Sequence, residues 1–201
     1  YRDTTFVVKL GGEVITDPQR MDSLASDLSL MYQLNIRIVL IHGGGPQLSE
    51  AAEKMGIHSE TINGRRITDD RMLEVAKMVF AGQISTDILA TLRRHGTPSV
   101  GMSGVDGNLI HAVRRPPKMI IDQATGQERE VDFLNVGDIC GVNTHILRVL
   151  LDNRFVPVIA SLGADEAGQV LNINADTIAS EIAIKLLAEK LFILSNVNGV
   201  P

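Results

Sequence analysis

The sequence predicts a layered α/β unit around a mainly parallel sheet, and three observations carry that prediction. Short β-branched runs end in glycine, at residues 5–10 before Gly11-Gly12 and at residues 36–41 before Gly43-Gly44-Gly45. Each is followed by apolar residues at helical spacing, so strand, glycine loop and helix occur twice in the first quarter of the chain. No linker, repeat or low-complexity tract interrupts the series over 201 residues, a length that buries one core or one and a half.

Taken in order, residues 5–10 (TFVVKL) read as a buried strand followed by a tight loop. Asp17-Pro18 supplies an N-cap and a first-turn proline for a helix that carries Leu24, Leu28 and Met31. Residues 36–41 (IRIVLI) form a second strand, ended by His42 and the three glycines. Pro46 restarts a helix with Leu48, Ala51, Ala52 and Met55, and Gly56 is placed to stop it. Asp69 or Asp70 caps a longer helix with Leu73, Ala76, Phe80, Ile84, Ile88 and Leu92 inward and Gly96 beyond its end. Residues 98–103 and 109–113 read as strands, and 118–122 with 128–133 as a hairpin about Ala124-Thr125-Gly126. Then follow a helix at 144–151, a strand at 156–161, a shorter one at 169–173, an apolar helix at 176–188 and a last strand at 191–195. The long helix also carries Met72, Val75 and Val79, so its apolar surface is wider than one stripe. Such a helix is either buried on two sides within the domain or covered on one side by another chain.

Composition narrows the function. A hydrophobic share of 44% with 21% charged residues is that of a soluble globular protein. A formal charge of -5 and a pI near 5.5 argue against a nucleic-acid partner. No apolar run reaches the roughly 18–20 residues that span a bilayer, and no secretory pattern opens the chain. Cys140 is alone and the five histidines lack ligand spacing, so neither a disulfide nor a bound metal is expected. The expected setting is the reducing cytoplasm, or an organelle if a targeting segment has been removed.

Four groups of residues carry candidate chemistry. Gly43-Gly44-Gly45 lies between a strand and a helix N-terminus, where free amides and the macrodipole favour an anion; Gly11-Gly12 has the same place after the first strand. Both loops could equally be plain strand-to-helix turns, and neither fits the known phosphate-loop or dinucleotide fingerprints. Lys9 sits in an apolar strand, costly unless its ammonium emerges at the strand's carboxyl end. There it either snorkels at an edge or neutralises a transferring phosphoryl group. Arg66, in Asn63-Gly64-Arg65-Arg66, is a surface cation or a carboxylate anchor. In Leu171-Asn172-Ile173-Asn174-Ala175-Asp176, alternation puts both asparagines on one face, with Asp176 at the start of a helix as N-cap or ligand-facing group.

Together, Lys9-Leu10-Gly11-Gly12, His42-Gly43-Gly44-Gly45-Pro46, Asn63-Gly64-Arg65-Arg66-Ile67-Thr68-Asp69, Leu171-Asn172-Ile173-Asn174-Ala175-Asp176 and Ser195-Asn196-Val197-Asn198-Gly199-Val200 resemble the amino-acid kinase family. Their order and spacing fit its acetylglutamate kinase branch, with kinases of carrier-linked aminoadipate as close cousins and a non-catalytic lobe, amino-acid-sensing or fused to another enzyme, as a further alternative. The resemblance implies a three-layer αβα sandwich of the carbamate kinase type with its C-terminal part missing. Residues 1–168 would form the N-acetylglutamate-binding lobe, and 169–201 would begin the ATP-binding lobe. It implies transfer of the γ-phosphoryl of ATP, with Mg²⁺, to the acceptor's γ-carboxylate. Lys9 would stabilise that phosphoryl and Asp176 would orient Lys9. Gly44, Gly45, Arg66 and Asn172 would hold the acceptor, and Gly11, Gly12, Ser195, Asn198 and Gly199 would meet the nucleotide. A homodimer paired through the long helix, or a higher homo-oligomer, is implied as well, with Val79 and Phe80 at the interface. Two departures stand out. Asn196 replaces the family's usual aspartate, and the family's second catalytic lysine would lie beyond Pro201, so weak or no kinase activity is expected of a chain that stops there.

Overall fold

Apolar side chains on both faces of the strands make a sheet that must be covered on both sides, and the amphipathic segments between the strands do the covering. The computed structural model describes residues 1–63, 65–123 and 126–195. β1 (Thr5–Leu10) leads into the short α1 (Gly12–Thr16) and then α2 (Pro18–Gln33). Asp17 caps α2 by accepting from the amides of Gln19 (3.0 Å) and Arg20 (3.2 Å). Next come β2 (Arg37–His42), α3 (Gly45–Lys54) and the two-residue strands β3 (Thr61–Ile62) and β4 (Arg65–Arg66). One continuous helix follows, built from α4 (Asp70–Lys77), a π-helical stretch (Met78–Ile84) and α5 (Ser85–Arg94). Asp69 is its cap, accepting from the Met72 amide at 2.7 Å.

The second half runs β5 (Ser99–Ser103), β6 (Ile110–Arg114), the hairpin β7 (Lys118–Ile121) and β8 (Glu128–Val131), and β9 (Gly137–Val142). It continues with α6 (His145–Asp152), β10 (Val156–Ala160), β11 (Leu162–Ala164), β12 (Val170–Asn172), α7 (Ala175–Leu186) and β13 (Lys190–Leu194).

The main sheet has the order β13-β1-β2-β10-β5, and every pairing in it is parallel. Strand alternation sorts the core into two halves. Phe6, Val8, Leu10, Ile38, Leu40 and Val158 pack with Leu28, Leu48 and the long helix. Val7, Val39, Ile41 and Ile159 pack with Leu147 of α6 and Ile178 and Ile182 of α7. The fold is thus the expected α/β three-layer sandwich. A second, mixed sheet of order β12-β11-β6-β9 extends it toward the cavity described below.

β3, β4, β9 and β11 are additions to what the sequence suggested. β9 carries Gly137 and Gly141, which weaken any strand signal. The long helix corrects one expectation. Met72, Val75, Val79, Phe80 and Ile88 are all buried inside the chain, none more than 4% exposed, so its wide apolar surface is used within the domain. Val79 and Phe80 therefore cannot be the interface positions. By length and a mean hydropathy of 1.2 this helix could cross a bilayer. Its buried apolar side is how a core helix meets the same criterion.

α7 ends on Leu187, which has left-handed backbone angles (φ 53°, ψ 48°) and is 88% exposed. A side chain there costs roughly 1–2 kcal/mol and buries almost nothing. Leu187→Gly is expected to raise unfolding stability by about 1 kcal/mol, read from the urea midpoint.

Candidate functional site

The carboxyl ends of β1, β2 and β10 point at one rim of the main sheet, where α/β proteins bind ligands. A cavity of about 360 Å³ opens there, with Gly43, Gly44, Gly45, Arg66, Asn172 and Ala175 among its lining. Gly44 lies so close to the π-helical stretch that an added Cβ would sit 2.2 Å from Ile84 Cδ1 and 3.1 Å from Phe80 Cε1. Only a residue without a side chain fits beneath Phe80 and Ile84 of the π-helical stretch.

Arg66 reaches the N-terminus of α3. Its Nη2 donates to Ser49 Oγ and, at 3.5 Å, to Gly45 O, and among the described residues it forms no ion pair. Partial burial pushes its pKa down from the usual arginine value by desolvation, yet a guanidinium stays charged at any working pH. An uncompensated cation therefore faces the positive end of a helix dipole, an arrangement that favours a carboxylate between them.

Toward the sheet, Lys9 Nζ lies 2.9 Å from Asp176 Oδ1, with the lysine side chain only 14% exposed. Alternation explains the contact: Lys9 shares a face with Val7, the face that α7 covers. Asn174, not Asp176, is the N-cap, accepting from the Thr177 amide at 2.9 Å. This leaves the Asp176 carboxylate to meet Lys9. Asn172 and Asn174 both line the cavity, as alternation implied.

The segment 133–136 ties the two sides of the cavity together. Thr68 N donates to Phe133 O (3.2 Å), Asn135 N to Thr68 O (2.8 Å) and Asn172 N to Asn135 O (2.9 Å). Asn172 Nδ2 then donates to the buried Thr68 Oγ1 at 3.2 Å, leaving Oδ1 as an acceptor. A second tie holds the hairpin over β3 and β4: Asn63 Nδ2 donates to Ile121 O at 2.8 Å, and Asn63 Oδ1 accepts from Gln123 N at 3.0 Å.

On the expected nucleotide side, Gly11 and Ser195 are neighbours across the β1–β13 pair. The Gly11 N–H already donates to Leu194 O at 2.9 Å. Gly12 opens α1 and is held by Gln47 Nε2, which donates to Gly12 O at 2.9 Å. Asn198 and Gly199 lie outside the described residues. Sequence reasoning missed Arg65, Phe80 and Arg115, which also line the cavity. Arg115 sits in an Arg-Arg-Pro-Pro run that reads as surface, and nothing local marks it as buried.

His42, the last residue of β2, is fully buried. Its Nδ1–H donates to Gly43 O at 2.9 Å, and Nε2 has no partner among the described residues. Desolvation pushes its pKa from 6.5 down to about 4. The native state therefore favours neutral imidazole, and its stability is complete above the unfolded value. As pH falls from 6.5 toward 4, the unfolded state binds the proton first and about 3 kcal/mol is lost, with no further change from this group below the folded value. Urea midpoints across that window should show the drop, and His42→Leu should remove this component.

Cations and backbone amides thus gather around one cavity at the carboxyl ends of the parallel strands. The chain belongs to the amino acid kinase family, whose profile matches residues 4–200. It is similar to the acetylglutamate kinase of Methanothermobacter thermautotrophicus (41% identity over 194 residues, 96% of this chain and 66% of that protein). It is also similar to that of Myxococcus xanthus (43% over 200 residues, 100% of this chain and 65% of that protein). The chain thus spans about two-thirds of the length of these relatives. Among solved structures it is similar to N-acetylglutamate synthase from Neisseria gonorrhoeae complexed with coenzyme A and N-acetyl-glutamate. There the TM-score is 0.79 with 30% identity, over 99% of this chain and 43% of that one.

Proposed function

We propose that this protein transfers the γ-phosphoryl of ATP to the γ-carboxylate of N-acetylglutamate in arginine biosynthesis, acting in the cytoplasm. The observation that carries the reading is an uncompensated Arg66 in a cavity whose lining also includes Asn174, Ala175 and Thr177, the chain neighbours of the Asp176 that pairs with Lys9. Arg66 with the α3 N-terminus holds the α-carboxylate, and Asn172 Oδ1 accepts from the acetamido N–H. Gly44 and Gly45 line the acceptor, and its γ-carboxylate points toward Lys9. One carboxylate oxygen forms the new O–P bond as the bond from the γ-phosphorus to the β–γ bridging oxygen breaks, giving an acyl phosphate and ADP. A carboxylate with a pKa near 4 needs no base at pH 7, so Asp176 orients Lys9 and takes no proton. Lys9 supplies positive charge where the transferring phosphoryl spreads its own. In this reading residues 1–168 make the acceptor lobe, and the nucleotide lobe begins at 169, with Gly11, Gly12, Ser195, Asn198 and Gly199 on its side. ATP enters as its Mg²⁺ complex, with the metal carried by its phosphates. The names of the relatives favour acetylglutamate over carrier-linked aminoadipate.

The test is trapping of the acyl phosphate with hydroxylamine, in the full-length protein, with MgATP and N-acetylglutamate, glutamate or aspartate. Hydroxamate from N-acetylglutamate supports the reading; hydroxamate from another acceptor alone sinks it. The resemblance also supports a homodimer. With Val79 and Phe80 buried, the surface left for pairing through the long helix is its exposed strip at Met78, Ala81, Gly82, Thr86 and Ala90. A two-fold contact there meets an added charge with its own copy. Met78→Glu is expected to convert dimer to monomer in sedimentation equilibrium, and a wild-type monomer at tens of micromolar refutes the dimer.

A further inference from the structure

Arg115 directly follows β6, and its backbone N–H donates to Val136 O at 2.8 Å. Its side chain is 11% exposed, and the guanidinium lies 5.9 Å from the centroid of the Phe133 ring. Nε (3.0 Å) and Nη2 (2.6 Å) both donate to the same oxygen of Asp138. Here Nη1 makes no hydrogen bond among the described residues. Nη1 keeps some exposure although Arg115 is a buried residue, and a guanidinium offers five N–H groups. Arg115 lines the same cavity as Arg66 and Asn172, so its free N–H groups are open to an acceptor on a ligand in that cavity.

Charge decides which acceptor. The Arg115 guanidinium, helped by Lys118 and Arg65, holds the Asp138 carboxyl below the usual carboxylate range, so Arg115 is already compensated. Arg66 is not. A carboxylate is drawn to the bare cation, and a neutralised guanidinium with spare N–H groups suits a neutral oxygen such as an amide carbonyl. Resting on the acetylglutamate reading above, the geometry points to Arg115 as the donor to the acyl carbonyl oxygen of the acceptor, while Asn172 Oδ1 accepts from the same amide's N–H. Together the two side chains select for the acylamino group.

Glutarate tests this, being the same dicarboxylate without the acylamino group. Calorimetric Kd values for N-acetylglutamate and glutarate are compared in wild type, Arg115→Met and Arg115→Lys. Arg115→Met is expected to weaken N-acetylglutamate about tenfold or more and glutarate less than about twofold, whereas Arg66→Ala weakens both. Equal weakening of both ligands in Arg115→Met overturns the inference, because a purely structural arginine would do that. If Arg115→Met does not fold, Arg115→Lys keeps the charge beside Asp138 and carries the same comparison; an unchanged ratio of the two affinities then overturns it. Wild-type protein that binds both ligands equally also overturns it, with the acceptor reading intact. Wild-type protein that binds neither removes the acceptor reading and this inference together.

Discussion

Lys9→Arg in the full-length protein should lower kcat by on the order of 10²-fold or more, while KM for N-acetylglutamate moves little. The lysine ammonium is a compact charge held 2.9 Å from Asp176 at the end of β1, with most of its side chain buried. A guanidinium is larger and planar, so it must either displace Asp176 or place its charge away from the phosphoryl. Interactions that matter mainly in the transition state appear in kcat, which is why the loss belongs there. Steady-state kinetics at saturating ATP and acceptor decide it. A variant with near-normal kcat would remove Lys9 from the chemistry and leave it a buried ion pair.

Arg66→Ala carries the second large effect. Loss of a charge-assisted pair with the α-carboxylate should raise KM for N-acetylglutamate by about 2–3 kcal/mol, roughly 30- to 150-fold, with KM for ATP unchanged. Among the described residues the guanidinium has no carboxylate partner to leave behind, and Ser49 and Gly45 O lose only a hydrogen bond. The fold should therefore survive the change, and circular dichroism should be that of wild type. A rise in KM for ATP with the acceptor unaffected would move Arg66 to the other ligand.

Most of the fold was legible because its signals are local. Strand, glycine loop and helix follow one another within a few dozen residues around Gly11 and Gly43, and Asp17 and Asp69 cap the helices they precede. What escaped depends on distance. Hydrophobic width on the long helix told how much surface Val79 and Phe80 add, but it carried no information about what covers them. Asp176 could be read as a cap or a site residue until the structure assigned the cap to Asn174 two positions earlier. Arg115 is hidden for a related reason: its burial comes from Asp138 and Phe133, and no neighbour in sequence marks it. Glycine motifs announce where a backbone must come close to something, whereas a buried arginine is visible only once the elements around it are placed.

The ties through segment 133–136 also bear on the order in which this chain acquires its parts. The hydrogen bond from Asn172 to Thr68 joins residues 104 apart, and Asn135 bridges between them. Closing spans of that length is slow compared with forming a helix or a neighbouring strand pair. A partly folded chain can carry both glycine loops and their helices while Arg66 and Asn172 are still unconnected. By that reasoning the cavity between Arg66 and Asn172 is completed late in folding, and a ligand bound there would recognise completion rather than guide the early steps.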